Sequence, residues 1–296
     1  MANAPCSWGV IEDVAGETPG FERVLDEMVE TGYAGTELGD WGFMPTDPSS
    51  LRDELDARGL AMVGSFATPK LQDRAQHERS ADDAVRIARL MASVAGPSPL
   101  IVVGNDPYAD PVRSQVAGRV TAAHGMNDDG WAAFIDGIHL LARRVRDEAG
   151  VRTVIHQHLG TLIESMDEVR RLLDATDPSL VGVCLDAGHW TFGTGGDPAA
   201  AVRELGDRVW HVHFKDTDAA IMARSRAEGW DGLTSTENGV FCELGTGCVD
   251  FPAVLRAMRE IDYQGWIVVE QDVLPGMGDP RESARRNREY LRSIGV

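Results

Sequence analysis

The sequence predicts a (β/α)8 barrel. Three observations carry that expectation: a length of 296 residues, eight short apolar runs each followed by a segment of helical period, and no compositional break that marks a linker. Barrels commonly fill about 250 residues as one domain. A single domain over residues 1–296 is therefore expected. Strands that alternate with helices imply parallel pairing with right-handed crossovers, and eight such repeats close on themselves more naturally than they form an open sheet.

The elements follow in order. Strand candidates Ala4–Val10, Gly35–Leu38, Ala61–Phe66 and Leu100–Asn105 precede helix candidates Phe21–Thr31, Ser49–Arg58, Arg79–Ala95 and Asp128–Glu148. Thr153–His158, Val181–Asp186, Val209–Lys215 and Trp266–Gln271 precede Ser165–Ala175, Pro198–Leu205, Phe251–Ile261 and Arg281–Arg292. Several strands read as continuous apolar runs, as they should when both faces are buried. Asp197-Pro198 is a helix start, with Asp as cap and Pro in the first position. The longest stretch without period runs from Asp216 to Asp250 and holds five glycines. A loop of that length in a compact domain is usually functional, so a lid over the substrate is expected there.

Composition narrows the function classes. Hydrophobic residues make up 43% of the chain, enough for a sizeable core, and no apolar stretch reaches the ~18 residues of a membrane span. The start Met1-Ala2-Asn3-Ala4-Pro5-Cys6 lacks a basic region followed by an apolar run, so no signal peptide is expected. A net charge of −19 opposes a polyanionic partner, which argues against nucleic acid. The four cysteines, Cys6, Cys184, Cys242 and Cys248, form no CxxC pair. They suit free thiols in a reducing cytoplasm better than a disulfide framework.

The polar residues at strand ends are the informative feature, because barrel active sites gather at the C-terminal ends of the strands. Strand two ends in Glu37, strand five in His156 and His158, strand six in Asp186, strand seven in His211 and His213, and strand eight in Glu270. Side chains two apart share a face, so each histidine pair points the same way. Any one of these residues alone reads as a hydrogen-bonded structural side chain or a helix cap. Four neighbouring strands each offering an imidazole or carboxylate at one height predict a shared divalent metal held by His156, Asp186, His213 and Glu270. That mixed nitrogen and oxygen set suits Mn2+ or Co2+, with Zn2+, Fe2+ or Mg2+ as further fits. His211 is expected to pack one layer below. His189, three residues past Asp186, either supports the site or meets substrate. Asn105, ending strand four, is a further substrate candidate. Glu37 is read as a contact to substrate hydroxyls. His77, His124 and His139 lie in polar or helical surroundings and read as structural.

At this point the residues resemble a family, the xylose isomerase-like barrels of sugar epimerases, isomerases and endonuclease IV. The matching pieces are Leu185-Asp186-Ala187-Gly188-His189, His211-Val212-His213-Phe214-Lys215-Asp216 and Val268-Val269-Glu270. Within it the chain is similar to inosose dehydratases through His156-Gln157-His158-Leu159-Gly160-Thr161, Asp186 to Gly193, and Leu244 to Pro252. Glu37-Leu38-Gly39 with Trp41-Gly42-Phe43 also resembles that branch and makes Trp41 a substrate candidate. The branch carries three consecutive histidines where this chain has His-Gln-His.

The resemblance implies metal-assisted chemistry on a small keto-sugar or keto-polyol. A polarised carbonyl makes the neighbouring C–H acidic and stabilises an enediolate, which then loses a β-hydroxyl. Two-base epimerases of the superfamily place a glutamate on strand five, where this chain has His156. Glu270 and His158 are then the acid–base candidates, and Lys215 is a candidate carbonyl contact. The expected function is a dehydratase of a cyclic keto-polyol such as an inosose. A sugar epimerase or isomerase, a keto-glycoside lyase and a non-catalytic sugar-binding barrel are the alternatives. No histidine precedes His77, against the extra early-strand ligands of the endonuclease. A homodimer is an expectation of the resemblance alone.

Overall fold

The structure is a computed structural model that describes residues 1–10, 18–94, 98–105, 110–274 and 276–296. Eight parallel strands close a barrel in sequence order: β1 (Ala2–Asn3), β2 (Gly35–Glu37), β3 (Ala61–Ala67), β4 (Leu100–Val103), β5 (Arg152–His156), β6 (Val181–Asp186), β7 (Val209–Phe214) and β8 (Ile267–Val269), with β8 pairing back onto β1. Around them lie α1 (Phe21–Thr31), α2 (Pro48–Arg58), α3 (His77–Val94), α4 (Pro111–Gln115), α5 (Asp128–Ala149), α6 (Met166–Ala175), α7 (Ala187–Thr194), α8 (Pro198–Leu205), α9 (Ala219–Glu228), α10 (Gly232–Glu237), α11 (Phe251–Glu260) and α12 (Pro280–Ser293). The large apolar core lies between this layer and the barrel, with Leu25, Met28, Leu51, Leu55, Phe134, Leu172, Val202 and Phe251 almost fully buried. Smaller clusters, such as Leu100, Val102, Val154 and Cys184, occupy strand positions away from that core. Among the described residues, no helix is long and apolar enough to cross a membrane.

Most of the helices begin where a short polar side chain accepts free N–H groups, while α1 starts after Gly20 without a side-chain cap. Asp47, Asp110, Asp197, Asp250 and Asp279 cap α2, α4, α8, α11 and α12, each followed directly or one residue later by proline. Ser165 and Glu168 form a reciprocal capping box on α6.

Four sequence expectations change. The first strand is not Ala4–Val10. It ends at Asn3, and Pro5–Trp8 forms a 3-10 turn closed by Gly9 at φ 76°. Pro5 cannot donate to a sheet ladder, so the run turns across the barrel mouth. Strands four, five and eight stop at Val103, His156 and Val269, so Asn105, His158 and Glu270 sit just beyond their strands. The helix expected at Arg79–Ala95 starts at His77, and Ala95 lies outside the described residues.

The fourth change concerns Asp216 to Asp250, which is no unstructured loop. It forms a two-stranded antiparallel ribbon, Asp216–Thr217 with Phe241–Cys242, that brackets α9 and α10. These helices are short and show no sustained apolar face, so periodicity could not reveal them. The base of the excursion is tied to one carboxylate. Asp216 is fully buried and accepts from the backbone N–H of Thr217, Gly245, Gly247 and Val249 at 2.8–3.0 Å. A Cβ at Gly247 would collide with that carboxylate. Asp216→Ala is expected to lower stability by about 1–3 kcal/mol, the usual cost of leaving donors unsatisfied, since water can reach part of this turn. Thermal melting and limited proteolysis within residues 243–250 check this, and an unchanged pattern would show that the turn holds itself.

Candidate metal centre and active site

Strand register sets the heights of the site residues. Asp186 on β6 pairs with His213 on β7, and His213 pairs with Val268 on β8. The Glu270 N–H donates to the Phe214 carbonyl at 3.1 Å, which carries Glu270 up beside His213. His156 pairs with Cys184, one step below Asp186. Ligand atoms of His156, Asp186, His213 and Glu270 all lie within 4.8 Å of one another. The structure thus brings these four side chains to one place.

Local structure aims each side chain. Asp186 is the N-cap of α7: its Oδ1 accepts from the His189 N–H at 2.7 Å, leaving Oδ2 directed at the cluster. His213 Nε2 lies 3.0 Å from Glu37 Oε1, while its Nδ1 lies 3.3 Å from Glu270 Oε2. His156 stacks edge-on to Phe66 and has no hydrogen-bond partner at either ring nitrogen, though it is 2% exposed. Asp186 Oδ2 and His213 Nδ1 are buried without partners as well. A buried polar atom left unpaired costs about 1–3 kcal/mol. Several converging from three strands fit a cation, and two imidazoles with two carboxylates are the donors of a mixed nitrogen–oxygen site.

The electrostatics agree with that fit. Burial pushes the Asp186 carboxyl up to about 7, a strain that a bound cation relieves. Burial, then His213 and His158, pushes His156 well below the usual imidazole range, so the ring stays neutral and one of its nitrogens keeps a lone pair for a ligand. For Glu270 burial opposes ionisation, but His213 and Lys215 outweigh it and hold the carboxyl well below its usual value.

A second group stands beside the cluster. His158 is half-buried and its Nδ1 donates to the Leu159 carbonyl at 2.7 Å, which leaves Nε2 as the basic nitrogen. Burial and Lys215 lower its pKa to about 4. His158 stacks on His189 with ring centroids 3.7 Å apart, and His189 in turn meets Phe241 at 4.8 Å. His189 Nε2 is buried without a partner. Lys215 is 2% exposed, with Nζ 3.0 Å from both oxygens of Asp272 and 3.5 Å from Glu270. These carboxylates keep it a cation despite burial. Phe241 lies over the ammonium at 4.8 Å, so the 216–250 excursion forms a wall of the site.

Two substrate candidates are corrected. Glu37, read as a contact to substrate hydroxyls, is instead buried at 3% exposure, and its Oε1 is shared by His211 Nε2 at 2.8 Å and His213 Nε2. The pairing of β2 on β3 slips between Thr36 and Glu37, and Gly64, whose Cβ would lie 3.1 Å from Glu37 Oε1, leaves room beside it. Trp41 is 38% exposed and stacks under Arg86 of α3 at 4.5 Å, in the outer helix layer. Asn105 is half-buried just past β4. His211 packs fully buried below the site, as expected. His77 and His139 bond backbone groups, at Leu71 and Asp177, and fit the structural reading.

Sequence reasoning missed Asp272 and Cys6. Asp272 repeats the two-residue spacing from Glu270, a readable signal. Cys6 was assigned to a strand, and only the 3-10 turn brings its half-buried thiol beside Glu270, Lys215 and Asp272.

Comparison with known proteins agrees with this architecture. A family model described as xylose isomerase-like TIM barrel matches residues 25–294. An inosose dehydratase from Geobacillus kaustophilus is 32% identical over 291 residues, covering 97% of this chain and 92% of that one. Another, from Bacillus velezensis, is 33% identical and covers 98% and 94%. Among solved structures, the IOLI protein with a binding zinc atom superposes with a TM-score of 0.72 at 14% identity, covering 99% and 96%.

Proposed function

The chain belongs to the xylose isomerase-like TIM barrel family, with inosose dehydratases as full-length relatives, and from that membership we propose a divalent-metal-dependent dehydratase of a cyclic keto-polyol such as an inosose. The observation that carries this reading is the convergence of unpaired buried atoms on His156, Asp186 and His213 with Glu270, next to an imidazole whose Nε2 is free. His156, Asp186, His213 and Glu270 would hold the ion. Mn2+ and Co2+ suit the donor set, and Zn2+, the ion of the similar IOLI protein, is a further fit. Such an ion supplies Lewis acidity that polarises a ketone and offsets charge developing on its oxygen.

The chain's own groups do the rest. Dehydration removes a proton beside the ketone and breaks the C–O bond one carbon further, leaving a conjugated double bond and water. His158 is neutral near pH 7, so its Nε2 accepts the C–H proton and then delivers it to the departing hydroxyl. Glu270 is held ionised by His213 and Lys215 and serves as ligand, so the acid–base work rests on His158. Lys215, fixed by Asp272, donates to a substrate oxygen beside Glu270. His189 Nε2 meets a ring hydroxyl.

The test is an NMR experiment in D2O with the metal-loaded enzyme and three compounds: an inosose, a ketohexose and a keto-glycoside. Loss of water from the inosose is the expected result. Aglycone release would move the activity to a related lyase, and epimerised ketose carrying deuterium without elimination would refute dehydration.

A further inference from the structure

The floor of the site holds two buried side chains that the proposed chemistry leaves unused, Glu37 on β2 and His211 on β7, set beside the ligand candidate His213. One carboxylate oxygen, Glu37 Oε1, sits 2.8 Å from His211 Nε2 and 3.0 Å from His213 Nε2. An ionised carboxylate only accepts hydrogen bonds, so both nitrogens must carry the proton. The remaining nitrogens, His211 Nδ1 and His213 Nδ1, are buried and without hydrogen-bond partners. They differ in what they face. His213 Nδ1 is turned to Glu270 and the ligand cluster, 3.3 Å from Glu270 Oε2.

We infer that Glu37 is a positioning residue: by accepting Nε2–H from both imidazoles it fixes the tautomer and ring direction of His213, so that His213 meets a metal through Nδ1. A carboxylate behind a ligating histidine raises its basicity and locks its orientation, and loss of such a partner typically costs about 10–100-fold in metal affinity. His211 shares the same oxygen and holds it from below, at full burial. Gly64 completes the arrangement, because a Cβ there would press on Glu37 Oε1. The inference rests on the proposed metal centre.

The test uses the full chain with 15N-labelled histidine and Zn2+ as the probe. Long-range 1H–15N spectra of the loaded wild type should show His213 with Nδ1 shifted by the metal and Nε2 protonated, and His211 protonated at Nε2. Zn2+ affinity, measured against a chelator, should fall about 10–100-fold in Glu37→Leu. It should recover in part in Glu37→Gln, whose amide oxygen still accepts. Metal bound through His213 Nε2 in the wild type would overturn the inference without any variant. So would unchanged Zn2+ affinity in a folded Glu37→Leu protein. Failure of the wild type to bind any divalent ion would instead sink the proposed metal centre, and with it this role.

Discussion

Asp186→Asn is expected to lose metal binding and turnover together while α7 stays folded. The two oxygens of Asp186 divide their work: Oδ1 caps α7 through the His189 N–H, and Oδ2 is buried, unpaired and directed at the ligand cluster. Asparagine keeps an acceptor for the cap but removes the charge. Lewis-acid stabilisation is worth several kcal/mol, and each 1.36 kcal/mol is tenfold in rate, so turnover should fall by about 1,000-fold or more. Asp186→Ala removes both functions and should also loosen the start of α7, by about 1 kcal/mol for a lost cap. Metal analysis of the purified variants, with His213→Ala beside them, gives the decisive reading. Full occupancy in Asp186→Asn and His213→Ala would mean that the ion sits elsewhere.

His158→Phe separates chemistry from binding. Phenylalanine preserves a ring against His189, where the native stack is 3.7 Å between centroids, but it has no nitrogen to accept a proton. A positioned acid–base group contributes about 100- to 10,000-fold, so kcat should fall by that factor with metal content intact. His158→Ala leaves a hole where the imidazole stood, and added imidazole should restore part of its rate. A Phe variant at near-native kcat would remove His158 from the mechanism and return the proton transfer to Glu270. The contrast with Asp186 is the informative part: one variant loses the ion and the rate, the other the rate alone.

Much of this protein was legible in its sequence because barrel geometry is repetitive. Strands buried on both faces read as apolar runs, helices as 3.6-residue periods, and parity alone put His156 with His158 and His211 with His213 on shared faces. The four ligand candidates needed only the rule that strand ends converge at one mouth. His211 below the cluster followed from the same alternation. The carboxyl and imidazole types, set in chain order on strands five to eight, were therefore determined by local sequence.

Tertiary structure alone decided what local pattern cannot encode. Helix α7 is buried around Ala187, Trp190 and Phe192, so no polar stripe exposes it in the sequence; only the fold shows Asp186 to be both cap and ligand candidate. The segment from Asp216 to Asp250 looked like a loop because its helices are short, and a single buried carboxylate accepting four backbone N–H groups organises its base. Glu37 read as a contact to substrate hydroxyls because a strand end points to the mouth. The slipped register of β2 against β3 and the space beside Gly64 instead accompany its burial against His211 and His213, 174 and 176 positions away in the chain. Trp41 turned outward to Arg86 for the same kind of reason. Periodicity reports which face a side chain shares with its neighbours along the chain. Which distant partner it meets depends on register and on the room its neighbours leave, and these exist only once the barrel has closed.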